Sequence, residues 1–152
     1  MDFDKSLEWV EKYEELTFLV QKRGEVLATK EIAGEITYDQ HFTLGFIMKR
    51  GRCTSTDLAD HFHVQKSAVT AIINRLAAKG LVRRERDRSD RRVVHLIPTK
   101  KGVEFYAACH RKIHDVLTRV ISHFKEEEIE AFLKTYEKLA LVLDQAIREI
   151  ER

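Results

Sequence analysis

Arginine is crowded into one short stretch of this chain. Arg83, Arg84, Arg86, Arg88, Arg91 and Arg92 fall within ten residues, against only Glu85, Asp87 and Asp90. Guanidinium groups at that density repel one another, and a phosphate backbone would relieve the repulsion. Just upstream, Gln65, Lys66, Ser67, Thr70, Ala71, Asn74 and Arg75 lie opposite Val69, Ile72, Ile73 and Leu76 if the segment is helical. These are residue types that read base edges. Gln and Asn can pair with adenine and Arg and Lys with guanine, while Ala68 or Ala71 can touch a thymine methyl. Ser67, Thr70 and a helix N-terminus suit phosphates. The competing reading is an ordinary amphipathic helix beside a solvated basic turn.

Charge is segregated along the chain. Residues 1–36 carry 5 Lys/Arg and 9 Asp/Glu, residues 37–102 carry 14 and 6, and residues 103–152 carry 8 and 10. A middle of +8 therefore lies between ends of −4 and −2, although the whole chain is only +2. A basic block of this kind is the footprint of a polyanion-binding module.

Apolar spacing places the elements that must hold these side chains. Leu7, Val10, Tyr13, Leu16, Val20 and Leu27 predict a helix from about Asp4 to Thr29. Thr37 and Gln40 form a capping-box pattern, opening a helix expected to bury Phe42, Phe46 and Ile47 and to stop at Gly51. Thr54 and Asp57 repeat the pattern before a short helix ending near His63, with Leu58, Ala59 and Phe62 inward. After a tight turn a third helix runs from Lys66 to about Lys79, with Gly80 as its stop. The period then changes to two: Leu81 to Arg86 and Val93 to Ile97 read as strands joined at Asp87-Arg88-Ser89-Asp90, and Pro98-Thr99 ends the hairpin. A long helix follows to about Phe124. The last helix carries Ile129, Phe132, Tyr136, Leu139, Leu143, Ala146 and Ile150 in alternating steps of 3 and 4, an apolar seam that needs cover.

Short helix, tight turn, second helix and basic hairpin make a winged helix-turn-helix. The expected fold class is mainly α with a small β-hairpin wing, flanked by N- and C-terminal dimerisation helices. Residues 1–36 form the N-terminal helix and linker, 37–99 the reader and 100–152 the C-terminal helices. In such readers the second helix enters the major groove, and arginine at a protruding turn suits a narrow minor groove. The expected DNA-contacting residues are Thr54, Ser55, Gln65, Lys66, Ser67, Ala68, Thr70, Ala71, Asn74, Arg75, Arg86, Arg88, Asp90, Arg91 and Arg92.

In order, Thr54-Ser55-Thr56-Asp57-Leu58-Ala59, Gln65-Lys66-Ser67-Ala68-Val69-Thr70, Asn74-Arg75-Leu76-Ala77-Ala78-Lys79-Gly80-Leu81-Val82, Asp90-Arg91-Arg92 and Thr99-Lys100-Lys101-Gly102 resemble the MarR family of bacterial transcription regulators. The similarity spans about residues 35–105. It implies a homodimer on a pseudo-palindromic double-stranded DNA operator, usually a repressor released by a small ligand, metal or oxidant. It also implies that Arg92 or a neighbour enters the minor groove while Asp90 helps to hold the wing. Two positions depart from the family pattern: Pro98 stands where Leu is usual, and Gln65 replaces the usual Asp, Asn or Ser cap.

The sensed signal is less marked. A pocket for a small aromatic effector could be lined by Tyr13, Tyr38, Phe42, Phe46 and His110, although plain core packing explains the Phe pair. His110 and His114 stand at i, i+4 on one helix face, a spacing that can chelate a divalent metal, and His41 and Glu25 lie on helices that could approach it. A zinc-responsive regulator is thus an alternative to a ligand-responsive one, and ordinary surface or pocket histidines are the alternative to both. Cys53 abuts Arg50 and Arg52, which could lower its pKa, and Cys109 lies within a helix, but inert filler is the commoner role of both.

Enzyme chemistry lacks a basis, since there is no Gly-rich phosphate loop, nucleophile elbow or His-Glu-x-x-His, and no cofactor is required. Two Cys cannot build a disulfide scaffold, and no signal-peptide core or membrane-length apolar run is present, so the expected setting is the cytoplasm, without a membrane partner. A winged helix used for protein contact is the remaining alternative.

Overall fold

The computed structural model describes residues 3–32 and 35–151. Helix α1 (Phe3–Glu31) is slightly longer at both ends than its apolar spacing predicts. The linker expected before Thr37 includes residues 33 and 34, which lie outside the described residues. Thr37 then opens α2 (Tyr38–Arg50): its hydroxyl accepts the Gln40 N–H at 3.2 Å, and the Gln40 side chain accepts the Thr37 N–H. The helix ends at Gly51, whose φ of 69° is the left-handed conformation for which glycine has no steric penalty. Strand β1 (Cys53–Thr54) follows, and Thr54 with Asp57 makes a second capping box at the start of α3 (Ser55–Phe62). A turn at His63 leads into α4 (Lys66–Ala78).

Strands β2 (Val82–Arg86) and β3 (Val94–Pro98) form the expected hairpin. The sheet has a third, unexpected member: β1 pairs antiparallel with β3, giving the order β1-β3-β2. A two-residue strand shows no periodicity, so nothing in the alternation of residues reveals it. Pro98 pairs with Val82 at the last register position, whereas β1 reaches only His95 and Leu96. The missing proline N–H therefore costs no ladder bond on the β1 side.

Thr99 closes the hairpin and opens α5 (Lys100–Ile121). Its N–H donates to the Leu81 carbonyl at 3.1 Å, and its hydroxyl accepts the Gly102 N–H at 2.9 Å. Gly102 is needed because a Cβ there would collide with the Leu81 carbonyl oxygen. Helix α6 (Glu126–Ile150) completes the chain.

The chain divides into two compact units, Met1–Ile113 and His114–Arg152. In the first, Leu44, Ile47, Leu58, Ile73, Leu76, Leu81 and Leu96 are fully buried together with Ile32. Burying such side chains contributes about 1.5–3 kcal/mol each, and here they join α2, α3, α4 and the sheet into one core. Phe42 does not share it. Expected inside, Phe42 is 51% exposed, while Gln40, His41, Thr43, Leu44, Gly45 and Ile47 are the buried residues of α2. The buried side of α2 is rotated relative to the Phe42–Phe46 stripe, because α2 must meet α4 and β3. In the second unit no residue of α6 is buried, and Phe132, Tyr136, Leu143 and Ile150 of the apolar seam are exposed.

His41 is buried, stacked on Tyr106 at 4.9 Å, and its Nδ1 has no hydrogen-bond partner among the described residues. Burial, and then the neighbouring His110, lower its pKa from the ordinary 6.5. The unfolded chain therefore binds a proton that the folded chain resists, and stability falls as pH drops through 6.5. The melting temperature should decrease from pH 7.5 to pH 5.5, with a smaller decrease in His41→Gln. Equal slopes in both proteins would show that His41 is not a source of the pH dependence.

Candidate nucleic-acid interface

Burial divides α4 cleanly. Val69, Ile73 and Leu76 are buried and Ile72 is half-buried, which fixes the opposite face outward. Ser67, Thr70, Ala71 and Asn74 are exposed on that face, Gln65, Lys66 and Arg75 are exposed at its margins, and the exposed Ala68 lines a cleft beside Ile72. Gln65 makes no capping hydrogen bond, as expected of a poor cap, so its side chain leaves the first amides of α4 uncapped. The Thr70 hydroxyl donates back to the Lys66 carbonyl at 2.8 Å. Asn74 is engaged rather than free: its Oδ1 accepts from Arg84 Nη2 at 2.6 Å. Asn74 therefore ties α4 to β2, a tie that α4's own periodicity cannot reveal because the partner lies in the next element. At the start of α3, the Thr54 hydroxyl is committed to Asp57, whose carboxyl is held below its usual range by the backbone and side chain of Thr54, and Ser55 is half-buried.

The wing is organised by two carboxylates. Asp87 N–H donates to the Val93 carbonyl, and Val93 N–H to that of Asp90, both at 2.9 Å. Asp87 Oδ1 accepts the Ser89 hydroxyl, the Ser89 N–H at 2.8 Å and the Asp90 N–H at 3.1 Å. Its Oδ2 meets His95 Nε2 at 3.0 Å and Arg52 Nη2 at 3.3 Å. The Ser89 hydroxyl foremost, with the amides and His95, holds the Asp87 carboxyl far below its usual range. Asp90 grips Arg92 three times, at the N–H (3.0 Å), Nε (3.1 Å) and Nη2 (3.2 Å), and these bonds lower its pKa too. The Arg92 side chain nevertheless remains 91% exposed. Arg86, Arg88 and Arg91 are exposed, and Arg83 pairs with Glu85. Asp90 thus binds both the backbone and the side chain of Arg92. Asp87 stood out only as turn chemistry; the Asp-x-Ser spacing marks its local turn, while its reach to Arg52 and His95 has no local mark.

The effector candidates do not all meet. A cleft of about 390 Å³ between α2, α3 and α4 is lined by Tyr38, Asp39, Phe42, Thr43, Phe62 and Ile72 among others. Tyr13 is exposed on α1 and takes no part. Phe46 packs against His61 and Phe62 with Arg50 over its ring, and His110 lies beside Tyr106 and His41 at 5.3 and 5.9 Å. Of the five, only Tyr38 and Phe42 line the cleft. His114 is exposed near Thr118 and Asp115. Among the described residues no three His, Cys, Asp or Glu are grouped to hold a metal ion, nor is any helix long and apolar enough to cross a membrane.

Taken together, the buried stripe of α4, its exposed polar face and the arginine hairpin define a winged helix-turn-helix reader. Residues 35–93 match the model of the MarR family. The chain is 32% identical over 115 residues to the HTH-type transcriptional repressor MdtR of Bacillus subtilis, covering 75% of this chain and 74% of that one. It is 30% identical to the HTH-type transcriptional regulator YsmB of the same organism, covering 91% and 88%. Its fold superposes with a TM-score of 0.79 on a mutant MarR from E. coli complexed with operator DNA, at 21% identity, covering 91% and 99%. The chain belongs to the MarR family and is a DNA-binding transcriptional regulator.

Cys53 and Cys109 are both buried. Burial, reinforced by Asp57, pushes the Cys53 thiol up to about 11, and Arg50 only partly offsets it. Burial chiefly raises Cys109 as well. These shifts favour inert packing for both thiols over the lowered pKa that Arg50 and Arg52 could have given Cys53. Both thiols should react with iodoacetamide at pH 7.5 far more slowly in the native protein than in denaturant, as read by mass spectrometry; equal rates would contradict the assignment.

Proposed function

We propose that this chain is a repressor acting as a homodimer on a pseudo-palindromic operator, with α4 in the major groove and the wing in the minor groove. The observation that carries this reading is the linked pair of exposed surfaces, the polar face of α4 and the arginine wing, joined by Arg84 and Asn74. Lys66 and Arg75 are suited to guanine, Ser67 and the α4 N-terminus to phosphate, and Arg88, Arg91 and Arg92 to the strong negative potential of a narrow minor groove. The repressor relative MdtR and the operator complex of MarR support the same reading.

A second copy of the chain is the natural cover for α6, whose seam exposes Phe132, Tyr136, Leu143 and Ile150. Exposed apolar faces of that kind mark association surfaces. Two-fold pairing would set two copies of α4 about one DNA turn, roughly 34 Å, apart. A small aromatic effector in the cleft of Tyr38 and Phe42 would press directly on α4 through Ile72, which gives a route for release.

Arg92→Ala should weaken binding to a duplex selected by this protein from random DNA by about tenfold, the scale of one charge-assisted contact, with an unchanged melting temperature. Unchanged affinity would remove the wing from the interface. Arg75→Ala should alter sequence preference more than non-specific binding; equal loss on every duplex would speak against base reading there. Sedimentation equilibrium should return twice the chain mass, shifted toward the monomer by Tyr136→Glu, and a monomeric native protein would rule out the homodimer.

A further inference from the structure

We propose that Asp87 is a positioning residue of the wing: without touching DNA, it sets the angle at which Arg88, Arg91 and Arg92 are presented. This rests on the reading that the wing enters a groove. The two carboxylate oxygens divide the task. Oδ1 shapes the tip through Ser89 and the Asp90 N–H. Oδ2 ties the tip to the rest of the reader, through Arg52 from the segment between α2 and β1 and through His95 from the central strand. His95 Nδ1 is buried with no hydrogen-bond partner among the described residues, so Asp87 is the polar contact that orients the ring. Arg52 lies 35 residues from Asp87 in sequence and anchors the hairpin from outside it. Without these contacts, the tip beyond the last paired residues, Arg86 and Val94, is held to the strands only by local bonds such as Asp87 N–H to the Val93 carbonyl, and to nothing outside the hairpin.

The sign of the effect separates positioning from charge. A carboxylate beside DNA opposes binding, so electrostatics alone predicts that removing it tightens the complex. Asp87→Asn keeps an oxygen for the Ser89 and Asp90 amides, but its NH₂ cannot accept from Arg52, and it can meet His95 Nε2 only by donating to the tautomer that puts a proton on the buried, unpartnered Nδ1. The tether is lost while the turn is kept, and arginines held at a changed angle bind less well.

The test uses the full-length protein and a duplex it selects from random DNA. Asp87→Asn should weaken binding by about tenfold, comparable to the loss of a charge-assisted contact, with an unchanged melting temperature. Hydroxyl-radical protection in the minor groove should fade while dimethyl sulfate protection of guanine N7 in the major groove persists. Arg52→Met, which breaks the tether from its other end, should have the same selective effect, and the double variant should lose little more than either single one. Tighter or unchanged binding by Asp87→Asn, equal loss of both protections, or additive losses would overturn the proposal. Arg92→Ala in parallel separates the two failures. If it too has no effect, the groove reading fails; if it weakens binding while Asp87→Asn does not, only the positioning role fails.

Discussion

A cluster of like charge has to be held in a fixed shape on a very small sheet, and the reader depends on how that is done. Six arginines crowd the hairpin. Left to themselves they would splay its tip, since mutual repulsion opposes any single compact arrangement. The counterweight is sparse: Asp87 locks the turn and tethers it, Asp90 clasps Arg92, and Glu85 pairs with Arg83. Exposed ion pairs of this kind are individually weak. What gives Asp87 and Asp90 effect here is their bonding to backbone N–H groups, which fixes the local conformation rather than merely neutralising charge. Enough positive charge remains unpaired for a polyanion to complete the neutralisation.

The same corner explains how helix and wing act as one body. Leu76, Leu81 and Leu96 are buried together, so the base of the hairpin and the end of α4 share a core. The Arg84–Asn74 bond adds a polar link on the exposed side, and Lys101 donates to the Lys79 carbonyl at the foot of α4. Thr99 and Gly102 fix α5 against Leu81. Through these contacts the start of α5 is built into the reader, which gives a mechanical path between it and the exposed face of α4.

Much of this was legible in the sequence where a local rule sufficed. Both capping boxes, the Gly51 stop, the apolar stripe of α4 and the change of period at Leu81 are short-range signals, and each appears in the structure. The rest depends on partners far away along the chain. Strand β1 exists only because β3 lies beside it. Phe42 is outward because α2 turns a different side toward α4 and β3 than its phenylalanine stripe indicated. Proximity of Cys53 to Arg50 and Arg52 in sequence left its reactivity open, and burial outweighs the nearby charge. Asn74 and Asp87 have roles set by Arg84, Arg52 and His95, none of which their own elements contain.

The central claim is that an arginine hairpin and a polar helix face grip a phosphate backbone together. Its most direct test is the salt dependence of binding by the whole protein to a duplex it has selected. If several phosphates are neutralised, the association constant should fall linearly on a double-logarithmic plot, by about a thousandfold or more between roughly 50 and 200 mM salt. A flat plot, or no binding to DNA at all, would contradict the account and leave the winged helix as a protein-contacting module.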